Sequence, residues 1–453
     1  MSTLKVNRIL DGTGNEGIDA DIVGNLTGNV TGNVTGNVTG TATTATTAQG
    51  LTGTPNLNVG IVTATEIAGV STIGVTTVTA TTLTVNGNNY PSAGPLSNRN
   101  LVINGDMRVA QRSTSIVTTS DNTNEGYQTI DRFGFSFGSS HGGSIGLGQT
   151  ATVPSDKGFT KSYFGNVVSG VTPTGNMTSL IYSKIEAQDI ANSGWNYTDS
   201  NSSITVSFWV RSSKAGNYSF YLDSQDADTY ERYVVEYTLV ADTWKKVIIT
   251  APGKSSLKYN DDNGAGMQLS WMLSAGSNRN QATSGQWTTA GNTYATPNQV
   301  NFFDTAGNQF FLTGVQLEVG DKATPFEHRS YGDELDKCKR YYQQVEYRGD
   351  GMISLGYSWT ATQAMVDMKF EKEMRATPTI TLPPAGTTSE TIVFLTGSAT
   401  HPSSVGSHAA YQANKYGYSV KATGYSGLTD DSASWFYPND SSTFVTFKYD
   451  AEM

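Results

Sequence analysis

The sequence predicts a mainly β protein in four parts. These are an extended N-terminal β-repeat shaft shared by three chains, an antiparallel β-sandwich, a short connector helix and a C-terminal β-domain. Three observations carry this reading. Residues 1–89 contain no Phe, Trp or Tyr, and part of them repeats every four residues. From about residue 97 apolar and polar residues alternate in runs separated by turn signals. Helical spacing shows in one short stretch, near residues 335–345.

The shaft comes first in the chain. Between Asp21 and Arg99 the one charged residue is Glu66. A period of four runs through GNLT at 24–27 and GNVT at 28–31, 32–35 and 36–39. Each unit offers one aliphatic residue: Leu26, Val30, Val34 or Val38. Each also offers a Gly-Asn pair, and both residues tolerate positive φ. One copy buries almost nothing, whereas three parallel copies in register can turn one aliphatic residue per unit toward a shared axis. Repeats of this kind need neighbours to build a core. The competing reading is an unfolded, low-charge linker. Further on, Val62-Thr63-Ala64-Thr65 and Val78-Thr79-Ala80-Thr81 echo each other, and β-branched residues favour strand. Leu83–Val85 runs into Asn86-Gly87, a turn signal.

Composition removes several function classes. The chain has 453 residues, with 29 Lys+Arg against 39 Asp+Glu and a formal net charge of −10. That sign disfavours a nucleic-acid partner held by phosphate neutralisation. One Cys and 4 His argue against a disulfide framework or a Cys/His zinc site. No apolar run reaches the roughly 20 residues that span a bilayer, so membrane insertion is not expected. The start, MSTLKVNRILDGTG, has no apolar core of a signal peptide. Only 15% of residues are charged, against about a quarter in a usual soluble chain. Thr, Ser, Asn and Gly supply the polarity, as on an extracellular surface. A particle assembled in a cytoplasm and released by lysis reconciles that surface with the missing export signal.

Strands become readable in 97–327. Ile204, Val206, Phe208 and Val210 alternate with Ser203, Thr205, Ser207 and Trp209. Tyr218, Phe220 and Leu222 continue after a Ser/Lys/Gly/Asn turn, followed by Tyr233, Val235, Tyr237 and Leu239, then Val247 and Ile249. Phe311, Thr313, Val315, Leu317 and Val319 form a later strand, with no helical period anywhere in 100–325. Period-two runs at this spacing predict an antiparallel sandwich.

Several segments in order resemble a known family. They are Asn100–Asp106 (NLVINGD), Asp131-Arg132-Phe133, Ser207–Arg211 (SFWVR), Thr243–Val247 (TWKKV), Thr313–Gly320 (TGVQLEVG), Ala323–Glu327 (ATPFE) and Cys338–Tyr342 (CKRYY). This set resembles the jelly-roll, carbohydrate-binding-module-like domain of bacteriophage tail fibres, of the marine and cyanobacterial kind once the GNVT repeats are included. The resemblance covers about 97–345, extends in style to 1–96, and is loose over 346–453. It implies a homotrimeric virion protein made in the host cytoplasm, with residues 1–23 docking on tail or baseplate proteins. The shaft is then 24–96, the jelly roll 97–327, the connector 328–349 and the distal β-rich tip 350–453. It also implies attachment to host cell-surface glycan.

The connector opens with Ser330 and Asp333, a capping-box pattern. Leu335, Cys338, Tyr342 and Val345 then form a short 3-4-3 seam, either on a threefold axis as trimer contacts or against the chain's own sandwich. Cys338 reads as a small buried hydrophobe rather than a nucleophile. In 350–453 the strand candidates are 352–359, 364–370, 379–382, 391–395, 416–423 and 444–449, with a long loop at 427–438.

Non-catalytic adhesion is the reading the chemistry favours. Glycan cleavage needs two carboxylates about 5–10 Å apart across a groove. Asp223, Asp226, Asp228, Asp261, Asp262, Asp430 and Asp431 all read as solvated turn residues. No cofactor is expected, although Asp106, Asp131 or Glu318 can be pictured on a structural Ca²⁺, as related sandwiches sometimes hold one. Sugar binding needs aromatic faces beside polar groups. Trp435, Tyr437, Asp430, Asp431, Tyr357 and Trp359 fit best, since they fall near the distal end. Trp195, Trp271 and Trp287 read first as packing residues. A purely structural fibre component, or a glycan depolymerase, are the competing functions.

Overall fold

The computed structural model describes residues 83–85, 88–90 and 99–453, apart from 122, 227–229, 290, 349–350, 385–391, 397–398, 402–406 and 439–443. Leu26, Val30, Val34 and Val38, and the whole shaft prediction, therefore lie outside the described residues. All of those described fall in one compact unit, Val78–Met453. The architecture is mainly β, as expected. At its start β1 (Leu83–Val85) pairs antiparallel with β2 (Asn88–Tyr90), with Val85 opposite Asn88, so the Asn86-Gly87 signal does fall between paired strands.

The jelly roll contains β3 (Val117–Ser120), β4 (Gly134–Gly138), β5 (Ser144–Thr150), β6 (Ser162–Ser169) and β7 (Thr178–Glu186). A short helix α1 (Ala187–Ala191) follows, which the absence of helical period had not predicted. Five residues are too few to display a period, and Ile190 simply plugs the core. Then come β8 (Ser203–Ser212), β9 (Gly216–Ser224), β10 (Glu231–Leu239), β11 (Lys245–Pro252), β12 (Ala265–Ala275), β13 (Gln286–Thr289) and β14 (Gln309–Val319). They form two six-stranded sheets, a front sheet ordered β13-β10-β9-β12-β7-β4 and a back sheet ordered β11-β8-β14-β6-β5-β3.

Alternation chose the core side of most strands correctly. Ile204, Val206, Phe208 and Val210 of β8 face Phe220, Leu222, Tyr233 and Trp271 of the front sheet. β14 differs. The expected inward set began at Phe311, but the core receives Phe310 and Leu312, then Val315 and Leu317. Gly314, at φ +63°, inserts a bulge where the pairing with β8 slips between Thr313 and Gln316. An inserted residue reverses the inward parity beyond it. Phe311 is buried instead on the opposite face, against Phe164 and Trp244.

After the jelly roll, α2 (Tyr331–Lys339) begins at Ser330, whose hydroxyl oxygen accepts from Asp333 N at 3.1 Å. The predicted cap is present, with the Ser330 hydroxyl donating in turn to the Asp333 carboxylate at 2.7 Å. The seam is not one helical stripe. The helix ends at Lys339, and Tyr342 and Val345 lie in β15 (Tyr342–Arg348). Cys338 and Tyr342 are buried within their own chain, as the second reading of the seam expected, and Val345 packs partly buried against the C-terminal core. Leu335, like Val345, keeps partial exposure.

The C-terminal domain adds β16 (Ser354–Thr360), β17 (Gln363–Lys369), β18 (Thr379–Thr381), β19 (Ile392–Thr396) and β20 (Ala399–His401). It ends with β21 (Ser407–Tyr411), β22 (Gly417–Thr423), β23 (Ser432–Pro438) and β24 (Phe444–Asp450). A seven-stranded sheet, β20-β19-β23-β16-β17-β22-β21, packs on a three-stranded one, β15-β24-β18. Val366, Met368, Val420 and Phe436 meet Val445, Phe447 and Tyr449 between them. The expected loop at 427–438 is half strand. Ser434 and Phe436 of β23 point inward, a short alternation hidden among turn-type residues.

Polar contacts weld this domain to the jelly roll. Glu186 at the end of β7 accepts from Arg340 at 2.7 and 2.8 Å and from the Tyr341 hydroxyl at 2.6 Å. Glu452, just past β24, pairs with Arg132 and, at 3.5 Å, with Arg112.

Candidate functional site

The front sheet has two faces. One carries Phe135, Ile181, Leu269, Trp271, Phe220 and Leu222 into the core. The other is polar and aromatic, and on it lies a cleft of about 480 Å³. Strand pairing lines its residues up in rows. Lys184 on β7 stands opposite Gln268 on β12, Gln268 opposite Asp223 on β9, and Asp223 opposite Arg232 on β10. The neighbouring row is Tyr182, Ser270 and Tyr221. A polar row therefore crosses four strands, a span of about 14 Å, beside an aromatic one.

Each position has a local cause. Tyr182 crosses over β4 where Gly134 leaves room, since a Cβ there would stand 2.5 Å from the Tyr182 ring. Tyr127 packs edge-on against that ring at 5.4 Å. At the far end the segment before β14 folds back over the sheet, burying Ala282 and Ala295 against Leu180, Tyr221, Val234 and Met272. This small second core sets Tyr294 as one wall, while Tyr230 and Glu125 line other parts of the rim.

Hydrogen bonds hold the polar row rigid. Gln225 donates to Gln268 at 3.0 Å, and Gln268 donates to Ser270 at 2.9 Å. Arg232 donates to Asp223 at 2.7 Å. Both members of that pair are only 3% exposed. The Arg232 guanidinium lies 4.5 Å from the Tyr221 ring centre and 3.9 Å from that of Tyr294. Burial raises the Asp223 pKa against the pull of Arg232. Burial works to lower that of Arg232, but Tyr221, Asp223 and Tyr294 raise it overall. Arg232 Nε and Nη1 are buried without hydrogen-bond partners. Aromatic rings beside fixed amide, carboxylate and guanidinium groups suit a polyhydroxylated ligand with apolar ring faces.

The sequence reading missed this cleft. Asp223 reads as a turn residue, yet it sits buried near the end of β9. The signal was present in the same alternation that found the core. Once Phe220 and Leu222 point inward, Tyr221 and Asp223 must point outward, and so must Arg232 beside Tyr233. Outward Tyr and charge on successive strands mark a working face. Trp195 and Trp271 are buried packing residues. Trp287 packs on Tyr233 and donates to the Pro252 carbonyl at 2.7 Å.

Of the residues expected to bind sugar, Tyr357, Asp431 and Trp435 share one surface, the outer face of the seven-stranded sheet. Trp435 (51% exposed) pairs opposite Leu355 (60% exposed). The Tyr357 hydroxyl donates to Asp431 at 2.6 Å, with exposed Asp430 adjacent. Trp359 turns to Gln363, donating at 3.2 Å. The Tyr437 side chain lies outside the described set.

The three candidate calcium residues serve protein donors. Asp106 pairs with Arg108, Asp131 accepts from the Gln111 backbone and side chain, and Glu318 accepts from Thr324 and Gln316. Among the described residues no group of three or more His, Cys, Asp or Glu is placed to hold a metal ion. No helix among them is long and apolar enough to cross a membrane.

No family model matches the sequence, and no curated protein matches it. Similar solved structures include the enzymatically active domain of bacteriophage CBA120 tailspike protein 4, at 11% identity and TM-score 0.26. That match covers 49% of this chain and 21% of the tailspike, so the chain spans about a fifth of its length. They also include a family 11 carbohydrate-binding module from Clostridium thermocellum in complex with a β-1,3-1,4-mixed-linked tetrasaccharide. There the identity is 11% and the TM-score 0.24, over 47% of this chain and 99% of the module. A family 4 carbohydrate-binding module is similar at 12% identity and TM-score 0.24, over 48% and 97% of the two chains.

Proposed function

We propose that this chain is a homotrimeric bacteriophage tail fibre that binds host cell-surface glycan without cleaving it, through the front-sheet cleft. The observation that carries the binding is the pair of rows, Lys184-Gln268-Asp223-Arg232 beside Tyr182-Ser270-Tyr221. The fibre assignment is supported by the GNVT repeat and by the ordered segments quoted from the jelly roll. On this reading residues 1–23 dock on tail or baseplate proteins, and the protein is part of the virion. Asp223 serves recognition, because a carboxylate tied to a buried guanidinium is poorly placed to give or take a proton.

The outer face of the seven-stranded sheet is the second contact. Tyr357 held by Asp431, with Trp435 and Leu355 alongside, offers an exposed apolar platform for a sugar face. Two weak sites in each of three chains multiply in avidity.

Retention of the full chain on immobilised host-surface polysaccharide tests both contacts. Tyr182→Ala is expected to weaken binding about tenfold or more, by removing the ring that forms the cleft floor. Trp435→Ala is expected to weaken it less. If Tyr182→Ala binds like the wild type while Trp435→Ala does not, the binding function moves to the tip. Removal of 350–453 is not a usable control, since Glu452 and Arg375 are built into the jelly-roll junction.

The fibre reading has its own measurement. Light scattering on the full chain should return about three times 48.4 kDa. A mass of one chain would leave the shaft without the sister strands it requires and would refute the trimer.

A further inference from the structure

We infer that Lys184 is the receptor for an anionic substituent on the bound glycan, a uronate carboxylate or a sulfate ester. This rests on the cleft being a glycan site and adds the charge of its ligand.

The other charged groups of the cleft are already engaged. Arg232 is paired with Asp223. Glu125 accepts from the Ser136 hydroxyl and from Phe137 N, each at 3.3 Å. Lys184 is half-buried, and among the described residues its ammonium forms no ion pair, the nearby Glu452 being held by Arg132 and Arg112. It stands 5.6 Å from the Tyr182 ring centre, so it borders the surface on which a sugar ring would lie.

Its surroundings add positive charge rather than cancel it. Arg132 donates to the Lys184 carbonyl oxygen. Arg375 spends its donors on the carbonyls of Ala451, Asn263 and Glu452, and among the described residues it has no carboxylate partner. Glu452 is the nearby counter-charge, and it is engaged by both Arg132 and Arg112. Burial depresses the Lys184 pKa, and Arg132 and Arg375 depress it further, against Glu452. A neutral sugar would leave this ammonium unmatched. A carboxylate or sulfate would take a charge-assisted hydrogen bond from it at the edge of a shielded cleft. The position at one end of the polar row also sets polarity. The substituent sits at the β7 end, and the Gln268 amide lies next along the row toward β9.

Calorimetric titration of the full chain with three probes of equal length tests the inference. The probes are tetragalacturonate, a sulfated galactotetraose and unsubstituted galactotetraose. One acidic probe is expected to bind about tenfold or more tighter than the neutral one, and which one identifies the substituent. Lys184→Gln should bring that probe down to the neutral affinity, while Lys184→Arg should restore most of the difference. An unchanged unfolding midpoint in both variants would show that only recognition was altered.

Equal binding of all three probes, or acidic binding indifferent to Lys184→Gln, overturns the assignment. It does so without touching the glycan reading, provided that binding still falls in Tyr182→Ala. Binding of no probe also overturns it. If the Tyr182 test on host polysaccharide is then negative as well, the glycan reading falls with it.

Discussion

Replacing Arg132 with alanine is expected to lower the stability of the full chain by about 3–5 kcal/mol, measured as a shift of the urea unfolding midpoint. The side chain is 2% exposed and makes three kinds of contact. Nη1 pairs with Glu452, Nη2 donates to the Lys184 carbonyl, and the guanidinium stacks 3.5 Å from the Tyr341 ring centre. Burial opposes its charge, but Glu452, Tyr341 and Tyr127 together drive its pKa upward, so the cation is held in place. Its removal leaves Glu452 buried with one long contact at 3.5 Å to Arg112. An uncompensated buried carboxylate is costlier than the ion pair was favourable. The double replacement Arg132→Met with Glu452→Leu should therefore recover much of the loss, because it removes both charges and keeps apolar volume. A loss below about 1 kcal/mol in Arg132→Ala would mean that the junction is held by packing alone.

Trp271→Ala is expected to cost about 3–5 kcal/mol by opening a cavity at the centre of the sandwich. The ring is fully buried, with centroids at 5.3 Å from Phe220, 5.5 Å from Phe208 and 6.1 Å from Phe133. Trp271→Phe should cost far less, because the indole Nε1 is buried without a partner and phenylalanine deletes that donor along with some volume. Thermal unfolding of both variants checks the order. If Trp271→Phe proves as costly as Trp271→Ala, ring volume rather than general apolar filling governs this core. Both variants bear on the cleft, since Ser270 and Met272 flank Trp271 on β12 and face the other way. A floor strand that settles into a cavity moves the polar row with it.

Much of the fold was legible because strand alternation is a local property. Ile204 through Val210 and Tyr218 through Leu222 announced their inward sides, and Ser330 with Asp333 announced the start of α2. The errors were also local in origin. One glycine, Gly314, reversed the parity of β14. A five-residue helix was too short to show a period. Tyr342 and Val345 continued the helical spacing by coincidence after the helix had ended. The cluster on the seven-stranded sheet was partly legible as well, since Tyr357, Asp431 and Trp435 do share a surface.

What the sequence by itself determined is the chemical character of each face: apolar residues to one side of a strand, tyrosines and charges to the other. It also determined that the first ninety residues are too poor in bulky apolar side chains to form a core of their own. The tertiary structure alone decided which outward residues became neighbours. Lys184, Gln268, Asp223 and Arg232 form one row because the front sheet orders its strands β7-β12-β9-β10, and that order follows from closing the whole sandwich. The same holds for Arg132 and Glu452, which meet across 320 residues of chain. Side-chain periodicity is set by the backbone within a few residues, whereas lateral pairing is set by the burial of the entire core.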